Sequence, residues 1–178
     1  MRGVLVVVML SAALAAPALA ASASKETVLA ILRARETQPM RAADWRKLGD
    51  GVDALLDQAF RDRSLLVAHR ARALGALAGL GGPRASRTLA EVLRDGQAEP
   101  ALLAVAVEAF AAYLGAAHPT AALAHGKRLL THEDWLVRRA AARALGRLGT
   151  PSARSVLEAR RAGEDHGAVM AAIDEPLR

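Results

Sequence analysis

Apolar and polar residues alternate along most of this chain with the period of a helix. From Lys25 onward, apolar positions recur at three- and four-residue intervals and are interrupted by glycine, proline and short polar turns. Pattern and breakers together predict helices over 25–37, 50–61, 64–79, 84–95, 99–114, 119–130, 133–148, 151–162 and 165–175, with a short helical turn at 41–48. Several ends carry their own signals. Thr150 precedes Pro151 as an N-cap, Glu99-Pro100 opens the helix at 99–114, and Gly96 follows Arg94-Asp95 as a stop. On 99–114, Leu102, Leu103, Ala106, Phe110, Tyr113 and Leu114 are expected to face the core, and Ala101, Ala104, Glu108 and Ala112 to face away. On 133–148 the inward stripe is Leu136, Val137, Ala141, Ala144, Leu145 and Leu148. The last helix turns Val169, Met170 and Ile173 inward and is broken by Pro176, as a short cap would be.

Self-comparison shows that these helices repeat. Arg72-Ala73-Leu74-Gly75 aligns with Arg143-Ala144-Leu145-Gly146, and midway between them Phe110 occupies the phase of Leu74 and Leu145. Pro83, Pro119 and Pro151 each follow a short turn and mark the first turn of a second helix, where a missing N–H is tolerated. Each unit is therefore helix, turn, helix. Gly75, Gly146 and Ala111 share a phase and are read as points where the paired helix comes close.

The stretch at 134–159 resembles a HEAT repeat of the type found in bilin-lyase subunits and many bacterial scaffold proteins. Asp134, Val137, Arg138, Ala140, Ala141, Ala142, Ala144, Leu145, Gly146, Leu148 and Gly149 carry the likeness. It extends over about 50–162 and implies an all-α superhelix, an α-solenoid of about four antiparallel helix pairs. At the phase of Asp134 and Arg138 the earlier copies have Arg63 and Val67, then Glu99 and Leu103, so an acid–arginine ladder between repeats is expected only in the last full one. Trp45-Arg46-Lys47-Leu48-Gly49 resembles the opening of a tetratricopeptide repeat, the rival reading, but no later copy repeats that tryptophan.

Composition agrees with helices and adds a compartment. About a quarter of the residues are alanine, aromatics make up 3%, and there is no cysteine, which leaves little for a β-barrel or a disulfide-stapled fold. The core must be close-packed Ala and Leu. Residues 1–20 read as a cleaved signal peptide, with Arg2, an apolar run from Val4 to Ala16 and the ending Ala18-Leu19-Ala20, so that the mature domain is 21–178 and the protein periplasmic or secreted. No later segment is apolar enough to span a membrane. Loss of Arg2 lowers the formal charge from +6 to +5 and leaves a basic chain in which arginine far outnumbers lysine.

Candidate chemistry is sparse. The histidines, His69, His118, His125, His132 and His166, lack metal-ligand spacing, and His132-Glu133 alone resembles the motif repeated in HEAT-like di-iron hydroxylases. No nucleophile elbow or phosphate loop occurs, so the sequence assigns no catalytic residue, metal or cofactor, and predicts a non-enzyme. The basic residues are more suggestive. Arg139, Arg143 and Arg147 recur every four positions along one helix face with Arg138 beside them, and Arg154 and Arg161 extend the pattern to the next helix. Such a stripe either solvates a helix or meets an anionic surface; nucleic acid would ask for more stacking aromatics than Trp135 alone.

By analogy with related arrays, the second helix of each pair would line the concave side, where Arg87, Glu91, Arg94, Arg128, Arg154 and Glu158 become contact candidates. The expected function is an exported, non-enzymatic scaffold that binds a protein or peptide, anionic if the arginines take part. The alternative is an enzyme or accessory subunit, lyase-like or metal-dependent, that holds a ligand within the array.

Overall fold

The structure, a computed structural model, describes residues 22–34 and 40–178. The predicted leader at 1–20 lies outside the described residues. Ten α-helices follow in order: α1 (Lys25–Arg33), α2 (Ala42–Arg46), α3 (Val52–Arg61), α4 (Val67–Leu80), α5 (Gly82–Arg94), α6 (Pro100–Tyr113), α7 (Pro119–Leu129), α8 (Trp135–Leu148), α9 (Pro151–Arg161) and α10 (Gly167–Asp174), closed by a 3-10 turn at Glu175–Leu177. Every predicted helix is present, with ends displaced by a few residues.

The caps explain the boundaries. Thr150 accepts the Ala153 N–H at 3.2 Å and Asp134 accepts the Leu136 N–H at 2.7 Å, each satisfying a backbone donor that has no partner in the first helical turn. Pro100, Pro119 and Pro151 open α6, α7 and α9. Gly81 and Gly82 turn α4 into α5 at φ +76° and +83°, a region that a side chain would resist.

The helices stack in two rows. α4, α6, α8 and α10 pack directly on one another as the first row; α3, α5, α7 and α9 form the second. In the second row α3 and α5 touch, α7 and α9 only lightly, and α5 and α7 scarcely at all. The first row is the more closely packed of the two, and the reason is residue size: Ala106, Ala109, Ala141 and Ala144, buried on α6 and α8, let these helices approach closely.

α6 sits in the middle, with α4 and α8 beside it and α5 and α7 behind. It is therefore buried almost all round, and Ala104, expected outside, is in the core. Tyr113, expected inside, is 57% exposed, because it falls at the open C-terminal end of α6. The close approaches also differ from expectation. Gly146 faces not its paired helix but the closing turn, where an added Cβ would lie 2.9 Å from Pro176 Cγ, and Gly75 has ordinary clearance. The tight contact between α7 and α8 is made by Gly126, where a Cβ would lie 2.7 Å from Leu145 Cδ2.

Arginines join successive repeats. Arg138, the fourth residue of α8, donates to the His132 and Glu133 carbonyls behind it and forks onto Glu164 ahead of it at 2.9 Å to each oxygen. Arg70, the fourth residue of α4, does the same with the Phe60 carbonyl at 2.9 Å and Glu99 at 2.6 Å. The ladder is thus present in the earlier copy too, one turn later than Val67, where sequence phase had looked for it. Of the three fourteen-residue helices of the first row, α6, with Leu103 at its fourth position, is the one that lacks the arginine.

Candidate functional site

Two hollows open along the first row. The first is a cleft of about 670 Å³ between the N-terminal helices and α4, α6. α4, α6 and α8 each run fourteen residues. The equivalent place ahead of α4 is filled by α1 and α2, of nine and five residues, and what they leave uncovered is the cleft. Its floor on α4 is Ala71, Gly75, Ala76 and Gly79; its walls are Ile31 and Leu32 of α1, Met40, Ala42 and Trp45 around α2, and Val105 and Tyr113 of α6. Polar groups are few: Arg41 at the rim, the Tyr113 hydroxyl, and Arg72, which donates to the Leu32 and Ala34 carbonyls and so ties α1 to α4. The described lining carries no carboxylate, imidazole or thiol. No signal in the sequence marked this cleft, because it is made by residues that a helical pattern reads as ordinary small or core positions.

The second hollow, about 510 Å³, lies at the other end of the same row and is polar. Arg143, Gly146 and Arg147 of α8 line it with Glu108 of α6, Ala172 of α10, and Glu175 and Pro176. Two members of the predicted stripe are therefore brought together in one groove. Arg139 is not: its guanidinium lies 5.5 Å over the Trp135 ring, which stacks in turn on His166 with centroids 4.4 Å apart. Arg138 points away into the repeat ladder, and Arg161 pairs with Asp174.

The remaining candidates lie on the second row and do not join these. Arg87 is exposed, Arg94 donates to the Ala90 carbonyl of its own helix, Arg128 donates to the Leu93 carbonyl, and Arg154 reaches the Leu177 carbonyl at 3.5 Å. Glu91 accepts from Arg61 at 2.7 Å, while Glu158 is exposed. His132 Nδ1 accepts the Asp134 N–H at 3.0 Å, so the ring belongs to the turn before α8. Among the described residues no cluster of His, Asp or Glu suits a metal, and no helix is long and apolar enough to cross a membrane.

Two electrostatic facts stand out. Glu164, whose side chain is wholly buried, is held down at about 2 by the fork of Arg138, with Arg160 and the His166 N–H adding to it against the cost of burial. His125, half-buried with its ring edge-on to Phe110 at 5.2 Å, is pushed below the ordinary imidazole value by desolvation and, secondarily, by Arg128.

Comparison with known proteins agrees with this architecture. Residues 96–175 match the family model of HEAT repeats. The described residues fold as a HEAT-repeat-like solenoid. A search of curated protein sequences gives no match. Among solved structures, this chain resembles one from the complex of CpcE and CpcF of phycocyanin lyase from Nostoc sp. PCC7120, with a TM-score of 0.67 and 19% identity, over 86% of this chain and 98% of that one. At that identity the likeness is one of fold. It nevertheless corrects the prediction of a non-enzyme, which rested on a solenoid without a catalytic constellation: in the Nostoc complex a chain of this fold belongs to a lyase.

Proposed function

We propose that this HEAT-repeat-like protein is an accessory subunit of a lyase-type assembly, holding a small apolar ligand in the cleft beside α4 while a protein partner docks on the array. The observation that carries the reading is the cleft itself. Its volume, about 670 Å³, lies in the range that encloses a drug-sized molecule, and its apolar walls with a few polar groups at the edge are what such sites present. The glycine and alanine floor on α4 lets a flat molecule lie against the helix. With no acid, base or nucleophile in the described lining, the chain's own part is to bind and orient. A complex of two subunits, as in the Nostoc lyase, supports a protein partner as the source of the remaining groups. Export under the leader at 1–20 is part of the proposal, and N-terminal sequencing of the protein recovered outside the cytoplasm should begin at Ala21.

The test fills the cleft without disturbing the fold. An added Cβ at Gly79 meets Tyr113 Oη at 3.5 Å and Ala42 at 3.9 Å, ordinary contacts, so Gly79→Leu projects into the cleft from a helix that gains propensity by losing a glycine. Titrated with the apolar dye anilinonaphthalene sulfonate, the wild type should bind one equivalent, and Gly79→Leu should bind about tenfold more weakly, the loss of roughly 1.4 kcal/mol of contact. Equal binding by the two proteins would dismiss the cleft as the ligand site.

A further inference from the structure

The polar groove at the C-terminal end of the first row has a different chemistry from the cleft and stands independently of it. Arg143 and Arg147 are one helical turn apart, both exposed, and both line the groove. Across the rest of the molecule, arginines that meet another element are closely fitted: Arg70, Arg138, Arg160 and Arg161 each hydrogen-bond a carboxylate. Here they are not. The carboxylate at Arg143 is Glu108 at 4.0 Å, beyond hydrogen-bond distance, and Arg147 has no ion pair or hydrogen bond among the described residues. Two neighbouring guanidiniums thus keep their N–H donors for solvent inside a walled groove.

We propose that this groove is an anion site that takes a carboxylate group. A guanidinium matches a carboxylate with two parallel N–H···O bonds, and a second guanidinium one turn away offers donors to the same group or its neighbour. Glu108 and Glu175 on the same walls define the class further. They tolerate one negative charge shared between two arginines, but repel a polyphosphate or a nucleic-acid backbone. The groove's length is set by Pro176, which approaches α8 only because Gly146 has no side chain. The carboxylate can come from a small molecule or from the end of a peptide.

The test follows the arginine Nε–H resonances of the full chain during titration. The probes are acetate, N-acetyl-dialanine, its C-terminal amide and inorganic tripolyphosphate. Saturable shifts at Arg143 and Arg147 with N-acetyl-dialanine but not with its amide are expected. Acetate binding as well as the dipeptide would assign the site to small carboxylates, and dipeptide binding well above acetate to peptide ends; both support it. Arg143→Gln with Arg147→Gln should weaken binding about tenfold or more, as loss of charged hydrogen bonds requires, with an unchanged fold. Arg87→Gln with Arg94→Gln on the second row should leave it unaltered, and Glu108→Gln should strengthen it. Absence of saturation in the wild type, equal binding by the Arg143/Arg147 variant, or tighter binding of tripolyphosphate than of the dipeptide would each overturn the assignment.

Discussion

In the C-terminal half of the array the first row runs through two fourteen-residue helices, α6 and α8, to the short cap α10, and alanines bring them into contact; in the N-terminal half the row begins with two short helices that cover α4 only in part. The regular half is the one that the HEAT family model matches, and the irregular half is the one that opens a ligand-sized cleft. Regular repeats close their own surfaces: each small residue has a neighbour to meet, and each ladder arginine an acid. The large apolar cleft opens where the repeat is interrupted, while the hollow of the regular half is smaller and polar. Stability should therefore be concentrated where the sequence repeats best, and binding of apolar ligands where it repeats worst.

The sharpest way to break this comparison is a core deletion in the regular half. Leu145 is fully buried on α8 against Gly126 of α7. Leu145→Ala should cost about 2–5 kcal/mol in denaturant unfolding, because the lost transfer energy is joined by a cavity that rigid neighbouring helices cannot close. The pair also couples. Gly126→Ala alone should cost about 1–3 kcal/mol by overpacking, yet little or nothing in the Leu145→Ala background, where the new methyl enters the space vacated. Additive costs in the double variant would show that α7 and α8 do not meet at these residues.

The fold was legible because its signals are local and redundant. Prolines at helix starts, a repeated Arg-Ala-Leu-Gly and the Asp134 and Thr150 caps each constrain one turn of chain, and all point to helical pairs. Which face of an array carries hollows depends on how rows pack together, which no single helix encodes, and so the sequence singled out Arg87, Arg94 and Arg128 on the second row while both large hollows open along the first. The stripe Arg139, Arg143, Arg147 was visible as spacing, but helix geometry alone could not say that Trp135 would take the first and a groove the other two. Arg70 was missed as a ladder residue because the sequence register puts Val67 opposite Arg138, while the helix starts are displaced from that register by one turn.

A second test sharpens the comparison by pH. Glu164, the acid of the C-terminal ladder, is buried and depressed to about 2 from its ordinary 4.5, whereas Glu99, its counterpart in the earlier repeat, is half-exposed and only shifted downward, by its backbone N–H and then by Arg70. A carboxylate with a folded-state value below its unfolded one contributes stability that is fully present above about 4.5 and is lost as pH falls toward about 2. Glu164 thus contributes about 3 kcal/mol at neutral pH. Glu164→Gln, which also leaves Arg138 buried without its anion, should lower neutral-pH stability by roughly that amount and flatten the acid limb between pH 4.5 and 2. Glu99→Gln should cost at most about 1 kcal/mol, since water screens the exposed carboxylate. An unchanged acid limb in Glu164→Gln would mean that this ion pair does not form.

The smallest expected effect is the most informative about the irregular half. Tyr113 is the large aromatic that helical periodicity assigns to the core and that the fold leaves 57% exposed at the edge of the cleft. Were it a core residue, Tyr113→Ala would cost about as much as other aromatic truncations, roughly 3–5 kcal/mol. As a cleft residue it has solvent on one side and the end of α4 near Gly79 on the other, so the substitution should change unfolding free energy by no more than about 0.5 kcal/mol, as surface changes do. Ligand binding should respond in the opposite sense. An exposed aromatic beside an apolar cleft contributes a wall and an edge to a bound molecule. Tyr113→Ala should weaken dye binding several-fold while Tyr113→Phe, which keeps the ring and removes only the hydroxyl, restores most of it. Loss of stability without loss of binding would place Tyr113 in the core after all and remove α6 as one wall of the site.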